Sequence, residues 1–151
     1  MKKKILWIDD DYYSISGLFR PLEREGYRVT PAISALDGYR EAQKWKEYDL
    51  IVVDLIIPVA QQQESVPEVV KTWEDERENK HVGVGIVKWL LQTLNVTCPV
   101  LVMSVVRDPI FTFGLENLGL AGYIQKSGLL PTDIKNKILE TIKTDKSSVP
   151  K

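Results

Sequence analysis

The sequence predicts an α/β fold, a doubly wound parallel sheet of five strands with helices on both faces. Short apolar runs recur along the 151-residue chain, and the segments between them carry apolar residues at helical spacing, an alternation typical of such sheets. Three of the runs are almost continuously apolar, as expected for central strands that are buried on both sides. The predicted strands are residues 5–8, 27–30, 50–53, 100–103 and 123–125.

Size and charge limit the kind of protein. The chain is 44% apolar and 27% charged, and 20 Lys and Arg oppose 21 Asp and Glu, which gives a net charge of −1. One domain over residues 1–143, with a polar tail over 144–151, accounts for this length. The chain lacks the basic surface typical of proteins that bind nucleic acids or anionic membranes, so we expect neither as a partner.

Single residues point to the compartment. Cys98 is the only cysteine, which excludes an internal disulfide and suits a reducing environment. The N-terminal lysines resemble the start of a signal peptide, but the apolar run that follows ends at Asp9 and is too short. No segment approaches the roughly 18 apolar residues of a membrane span. We therefore expect a cytoplasmic protein, with His81, the only histidine, in a surface loop.

Five helices are predicted to alternate with the strands. Pro21 lies inside the first and should bend it, and Gly26 supplies its end. The second covers residues 37–46, the third 85–94 and the last 131–142, while a fourth begins near Pro109. The expected inward faces are Ile15, Leu18, Phe19 and Leu22; Tyr39, Ala42 and Trp45; Ile86, Trp89, Leu90 and Leu94; Phe113, Leu115 and Leu118; and Ile134, Ile138 and Ile142.

An insertion separates the third strand from the third helix. Residues 59–82 span about two dozen positions, whereas such loops usually have two to six. Ser65 and Glu68 have the spacing of a capping box, and Pro67 suits a first helical turn, so a short amphipathic helix is expected. Its apolar stripe should pack on its own domain, and the charges of residues 74–80 should face solvent. The stripe consists of Val66, Val69, Val70 and Trp73.

Polar side chains follow four of the predicted strands. Asp9, Asp10 and Asp11 follow the first strand, Asp54 the third, Ser104 the fourth and Lys126 the fifth. In an open parallel sheet, sites form at the carboxyl ends of the strands, where the winding direction reverses. Alone, each residue suits a turn, a helix cap or a solvated strand end, and Asp11 is expected to cap the first helix. Their coincidence at one edge of the sheet favours a site.

Clustered carboxylates require a positive partner. Two unit charges 4 Å apart repel by about 4 kcal/mol at an effective dielectric constant near 20. Lys126 supplies one positive charge, and a divalent cation would supply two more. Oxygen ligands without His or Cys favour Mg²⁺, which commonly also binds a phosphate oxygen. One carboxylate could then act as a nucleophile towards a phosphoryl group.

Four segments carry the polar residues of this predicted site: residues 5–10 (ILWIDD), 49–58 (DLIVVDLIIP), 99–104 (PVLVMS) and 122–126 (GYIQK). Together they resemble the receiver domain of two-component response regulators, which has the flavodoxin-like (βα)₅ fold. The motifs occur in the family's order and span the whole domain, and the excess length between Asp54 and Ser104 fits within residues 59–82.

The resemblance implies a role for each site residue. Asp54 would accept the phosphoryl group from a histidine kinase or a phosphotransfer protein. Ser104 would hydrogen-bond that group, Lys126 would pair with it, and Tyr123 would be an aromatic switch that turns inward on activation. The ligands of Mg²⁺ would be Asp9, Asp10, Asp54 and the backbone carbonyl of Ile56.

Three positions depart from the family pattern. Ser127 follows Lys126 where the family commonly has proline, which alters the expectation for that loop. Ile56 and Val106 are apolar where many receivers carry polar groups that place an attacking water. We therefore expect slow loss of the phosphoryl group.

The resemblance also implies partners. A downstream protein would bind the face of the predicted fourth helix, fifth strand and fifth helix, where Ile110, Phe111 and Leu120 are compatible with a homodimer. The insertion would cover part of the site or recognise a particular kinase. The protein would carry phosphate rather than turn over an external substrate.

Two other classes of function stay open. One is a receiver-like interaction module that is not phosphorylated, which Ser127 and the insertion favour. The other is a magnesium-dependent phosphohydrolase, which is disfavoured because Leu55 and Ile56 follow Asp54 where the haloacid dehalogenase family has an Asp-x-Asp motif.

Overall fold

Five parallel strands form a single sheet in the computed structural model, which describes residues 3–62, 64–74, 81–107, 114–115 and 117–147. The strand order is β2-β1-β3-β4-β5, as expected for a flavodoxin-like sheet. All five predicted strands are confirmed, with ends that differ by at most two residues from the sequence-based ranges. The strands are β1 (Lys3–Ile8), β2 (Tyr27–Ala32), β3 (Leu50–Val53), β4 (Val100–Ser104) and β5 (Gly122–Gln125).

Helices connect the strands and cover both faces of the sheet. The α-helices among the described residues are α1 (Tyr12–Arg24), α2 (Ala35–Ala42), α3 (Glu68–Lys71), α4 (Val82–Lys88) and α5 (Pro131–Ser147). A 3₁₀ turn over Trp45–Glu47 follows α2, and a π-helical turn over Trp89–Thr93 continues α4. Within the described residues, no helix combines the length and apolar character needed to cross a membrane.

The sheet separates two apolar cores. One core lies under α2, α3 and α4 and the other under α1 and α5. Alternate residues of β1 serve each core, since Leu6 and Ile8 belong to the first and Ile5 and Trp7 to the second. This two-sided burial explains the continuous apolar runs in the sequence.

The second helix begins earlier than predicted. Ser34 accepts a hydrogen bond at Oγ from the Asp37 N–H at 3.1 Å, so this serine caps α2 at its N-terminus. The helix ends at Ala42, and Trp45 lies in the 3₁₀ turn instead of the predicted helix. The serine cap, which fixes the start at Ala35, was not used in the sequence-based range.

The last helix is longer than predicted. α5 begins at Pro131, as expected, but runs to Ser147 rather than Ile142, so it enters the stretch assigned to a polar tail. No Gly or Pro interrupts the sequence before Pro150, and polar residues alone do not end a helix. Gly26 follows α1 with a left-handed φ of +91°, as its predicted stopping role requires.

The insertion contains the predicted short helix, but the capping box is wrong. Pro67 occupies the N-cap position of α3, and no side chain caps this helix. A capping box between Ser65 and Glu68 needs Ser65 at the N-cap position. In the structure that position belongs to Pro67, whose ring fixes φ. The prediction that the stripe packs on its own domain is confirmed, because Val70 and Trp73 are buried in the core under α2 and α4.

The predicted fourth helix cannot be compared with the structure over residues 108–113 and 116, which lie outside the described part of the chain. Near its expected end, Gly114 has a φ of +67°, and the Leu118 N–H donates to the Leu115 carbonyl at 3.2 Å. The described residues there form turns. Leu115 is buried and Leu118 packs on the core, as predicted.

Candidate functional site

The sheet order brings four strand ends to one edge. β1 lies between β2 and β3, so the winding direction reverses between β1 and β3, where a crevice is expected. The Asp54 N–H donates to the Ile8 carbonyl at 2.9 Å, which places Asp54 beside Asp9. On the other side, the Lys126 N–H donates to the Ser104 carbonyl at 2.9 Å. These backbone contacts extend the sheet into the site.

Three carboxylates converge at this edge. Oxygens of Asp9, Asp10 and Asp54 all lie within 4.8 Å of one another. Asp9 has no exposed surface and Asp54 only 6%, whereas Asp10 is exposed. Two backbone N–H groups orient the buried carboxylates: that of Asp11 donates to Asp9 Oδ1 at 2.9 Å, and that of Ile56 to Asp54 Oδ1 at 3.1 Å.

Lys126 lies between the two buried carboxylates. Its Nζ is 2.8 Å from Asp9 Oδ2 and 2.9 Å from Asp54 Oδ2. Each carboxylate thus uses one oxygen for the ammonium and the other for a backbone N–H. Such charge-assisted hydrogen bonds fix both the position and the orientation of the acceptors.

The electrostatics of the cluster follow from burial and pairing. Burial raises the pKa of the Asp9 carboxyl, and the hydrogen bonds from Lys126 and from the Asp11 N–H only partly oppose this shift. Burial lowers the pKa of Lys126, but hydrogen bonds and charges of Asp9 and Asp54 outweigh burial and leave that pKa raised. One ammonium therefore faces three carboxylates, and the site keeps an excess of negative charge.

A hard divalent cation fits this set of groups. The side-chain atoms of the cluster that could coordinate a metal are carboxylate oxygens, and the exposed position of Asp10 leaves one side of the cluster open to solvent. Mg²⁺ prefers a few carboxylates and retains several waters. The ligand role predicted for the Ile56 carbonyl stays a prediction, as does the N-cap role of Asp11.

Ser104 is buried at the end of β4. Its Oγ accepts a hydrogen bond from the Val106 N–H at 3.2 Å, and its exposed fraction is 1%. The β4–β5 register pairs Ser104 with Gln125, the residue before Lys126. The hydroxyl group therefore lies at the same edge as the lysine, as the sequence predicts.

The remaining predicted positions lie around the crevice. Tyr123 is 38% exposed on β5, so its side chain is partly open to solvent. Ile56 and Val105 are exposed, while Val106 packs on the core. His81 immediately precedes α4 and is half-buried rather than fully at the surface.

The sequence analysis missed one residue that supports Asp54. The Gly83 N–H donates to the Leu55 carbonyl at 2.9 Å, and a Cβ at Gly83 would lie only 2.2 Å from the Asp54 carbonyl oxygen. Only glycine allows α4 this approach to the backbone of Asp54. The closely spaced pair of Gly83 and Gly85 at the start of the predicted third helix was the available signal.

Comparison with known proteins supports the same family. No family model matches the chain. The alkaline phosphatase synthesis transcriptional regulatory protein PhoP of Bacillus subtilis is 33% identical over a 96-residue alignment, which covers 57% of this chain and 40% of that protein. The matched region therefore spans less than half of the relative's length.

Solved structures extend the likeness to the whole fold. A CheY-like response regulator receiver domain protein from Methanospirillum hungatei has a TM-score of 0.69 at 22% identity, covering 99% of this chain and 100% of that chain. The non-phosphorylated HemR receiver domain from Leptospira biflexa gives 0.70 at 19% identity, with 99% and 98% covered. A response regulator receiver domain protein from Clostridium thermocellum gives 0.67 at 18%, with 97% and 99% covered. This chain therefore has the receiver-domain fold of two-component response regulators, which confirms the resemblance that its motifs indicate.

Proposed function

We propose that this chain is a phosphorylatable receiver domain of a two-component phosphorelay, in which Asp54 accepts a phosphoryl group from a histidine kinase or a phosphotransfer protein. The observation that carries the proposal is the position of Lys126 Nζ, within 2.9 Å of carboxylate oxygens from both Asp9 and Asp54. A lysine that bridges two buried carboxylates beside a third is suited to neutralise an incoming phosphoryl group.

The chemistry assigns a task to each group of the site. Asp54 would attack phosphorus through a carboxylate oxygen, forming a P–O bond while the P–N bond to the donor histidine breaks and its electron pair returns to the imidazole. Lys126 would then pair with the new phosphoryl oxygens, and the Ser104 hydroxyl would donate to one of them. Bound Mg²⁺ would supply positive charge to the same oxygens. Its proposed ligands are Asp9, Asp10, Asp54 and the Ile56 carbonyl.

Signalling would follow from a shift of Ser104 towards the phosphoryl group. The Val106 N–H now donates to Ser104 Oγ, so movement of the hydroxyl would pull the loop after β4. Tyr123 would then turn inward and change the face of β5 and α5, which would bind a downstream protein or a second copy of this chain. In this proposal the chain, a domain over residues 1–143 with its insertion at 59–82, acts as a phosphate carrier in the cytoplasm and not as a turnover enzyme.

Incubation with acetyl phosphate and Mg²⁺ tests the proposal. Mass spectrometry should find one adduct of about 80 Da, the mass of a phosphoryl group, and chelation of the metal should prevent it. Asp54→Asn should abolish the adduct, whereas Asp11→Asn, which changes a neighbouring carboxylate outside the cluster, should keep it. No adduct on the unchanged chain, or an adduct that survives Asp54→Asn, would overturn the proposal.

The second candidate is a receiver-like interaction module that is not phosphorylated. Ser127, in place of the proline common in the family, favours it, as does the insertion at residues 59–82. This candidate gains support if a folded chain binds Mg²⁺ but forms no adduct with either acetyl phosphate or a phosphorylated histidine donor.

A further inference from the structure

Trp73 of the insertion packs directly on the backbone of α4. A Cβ at Gly85 would lie 2.6 Å from Cδ1 and Cγ of the Trp73 ring, which is shorter than van der Waals contact allows. The indole is 6% exposed, and its ring centroid is 5.4 Å from that of Trp89 and 6.3 Å from that of Tyr39. The insertion is thus attached to α4 by a large, well-packed aromatic side chain.

One helical turn holds both this contact and the contact with the proposed phosphoacceptor. Gly83, two residues before Gly85, donates its N–H to the Leu55 carbonyl at 2.9 Å. A Cβ at Gly83 would lie 2.2 Å from the Asp54 carbonyl oxygen and 2.4 Å from Leu55 Cα. α4 therefore touches the backbone at Asp54 on one side and Trp73 on the other.

We propose that the insertion is a brace for the Asp54 loop, meaning that it holds the backbone from Asp54 to Ile56 in a fixed position. Trp73 is then a positioning residue for the Asp54 carboxylate. Trp73 would fix the first turn of α4 through Gly85, and Gly83 of that turn would fix the peptide that follows Asp54. The inference rests on the proposed function for its consequence at the metal and phosphoryl site. The coupling from Trp73 through α4 to the backbone at Asp54 can be tested without either ligand.

Packing density explains why such a brace would transmit a displacement. Both glycines sit where even one added carbon atom would overlap a neighbour, so neither contact contains free space that could absorb a shift of α4. The Asp54 carboxylate is oriented by the Ile56 N–H at 3.1 Å and by Lys126 at 2.9 Å. A small rotation of the Asp54–Ile56 backbone would disturb the first of these bonds and misplace the carboxylate.

Hydrogen exchange of the Gly83 amide tests the brace in the metal-free protein. In Trp73→Ala, local opening of α4 no longer has to break the indole contact, so it should become easier. The exchange rate of the Gly83 amide should then rise about tenfold beyond the increase that the loss of global stability alone would cause. Leu22→Ala is the matched control: it also empties a fully buried site, but in the core under α1 and α5. In the control, Gly83 exchange should rise only as much as global unfolding does.

Metal affinity tests the consequence with milder variants that keep the fold. Amide shifts of Asp10 and Asp54 during titration with MgCl₂ should report weaker binding in Trp73→Leu, by about two- to thirtyfold, the range that such couplings span. Trp73→Phe, which keeps an aromatic ring over Gly85, should recover most of the affinity. Ile138→Val, a smaller change at a buried residue of α5, should leave the affinity unchanged.

Two results would overturn the brace: Gly83 exchange that tracks global stability equally in Trp73→Ala and Leu22→Ala, or equal Mg²⁺ affinity in Trp73→Leu and Ile138→Val. Failure of the proposed function is a different result, since then the unchanged protein would take up no phosphate. If it also binds no Mg²⁺, the exchange experiment alone decides whether Trp73 holds the Asp54 loop. If Trp73→Ala does not fold, Trp73→Leu and Trp73→Phe provide the same comparison.

Discussion

Lys126 Nζ lies 2.8 Å from Asp9 Oδ2, and this aspartate has no solvent-exposed surface. A buried carboxylate costs several kcal/mol to desolvate unless a partner compensates. The compensating positive charge is that of Lys126, which is 117 positions away in the chain. Lys126 directly follows β5, and β3 and β4 separate β5 from β1 in the sheet. The same ammonium also serves Asp54, so the site shares one cation between two buried anions.

We expect Lys126→Met to destabilise the protein at pH 7 by about 3–5 kcal/mol, since it leaves two buried carboxylates without their cation. Mg²⁺ should restore part of the loss, because an ion held by the remaining carboxylates supplies the missing charge. Urea denaturation with and without MgCl₂ measures both effects.

Lys135→Met serves as the control for this change. Lys135 is similarly shielded, but its partner Glu25 is about half exposed, 3.8 Å away, and outside the acidic cluster. Its substitution should cost less than about 1 kcal/mol and show no dependence on Mg²⁺. A loss in Lys126→Met as small as that of the control would contradict the assigned pairing.

A second prediction concerns glycine at the start of α4. Gly83→Ala should destabilise the protein by about 1–3 kcal/mol or more, because its Cβ would overlap the backbone oxygen of Asp54, which cannot move aside as a flexible side chain would. Gly17→Ala in α1 is the matched change, since nothing lies within 4 Å of its added carbon. That variant should be more stable by about 0.5–1 kcal/mol, as expected for alanine in a helix. Thermal unfolding of both variants checks the opposite signs.

The contrast between these glycines shows what sequence patterns could and could not predict. Runs of apolar residues fixed the positions of all five strands, and the strand-end rule then selected Asp9, Asp54, Ser104 and Lys126. Both inferences need only local sequence and a known sheet geometry. The close contact of Gly83 with Asp54 depends on how α4 docks, which the spacing of Gly83 and Gly85 alone does not report.

The insertion shows the same limit. Its apolar stripe predicted packing on the domain, and Val70 and Trp73 are indeed buried in the core. The position of Trp73 against Gly85 could not be predicted, because it depends on the space that a glycine leaves in α4, the next helix along the chain. Removal of residues 61–80 would also remove these core side chains, so such a deletion would affect stability as well as any kinase contact.

A third prediction concerns stability at high pH. The Tyr48 hydroxyl donates to Glu41 Oε1 at 2.5 Å, and burial together with this acceptor raises the pKa of Tyr48 from 10.0 to about 12. Above pH 10 the unfolded chain loses this proton while the folded protein retains it, so the unfolded state binds fewer protons. Stability should therefore fall as the pH rises from about 10 to about 12.

Tyr48→Phe isolates this contribution. The variant lacks the ionisable group, so its free energy of unfolding should change less with pH over the same interval, measured by urea denaturation at several pH values. Tyr27 also has a raised pKa caused mainly by burial, and Tyr27→Phe provides a comparison at the other core. An unchanged pH slope in Tyr48→Phe would contradict the raised pKa of Tyr48.

The last prediction is slow loss of the phosphoryl group from Asp54. The Ile56 N–H donates to Asp54 Oδ1 at 3.1 Å, so the backbone of Ile56 lies beside the carboxylate. The side chain of Ile56 is 45% exposed and apolar, so it offers no polar partner to an attacking water. We expect a lifetime of many minutes to hours, and Ile56→Asn should shorten it on the order of tenfold by orienting that water. Decay of the phosphorylated protein on phosphate-affinity gels measures both. Ile57→Val, a change at the buried neighbouring residue, should leave the lifetime unaltered; decay of the unchanged protein within seconds would contradict the prediction.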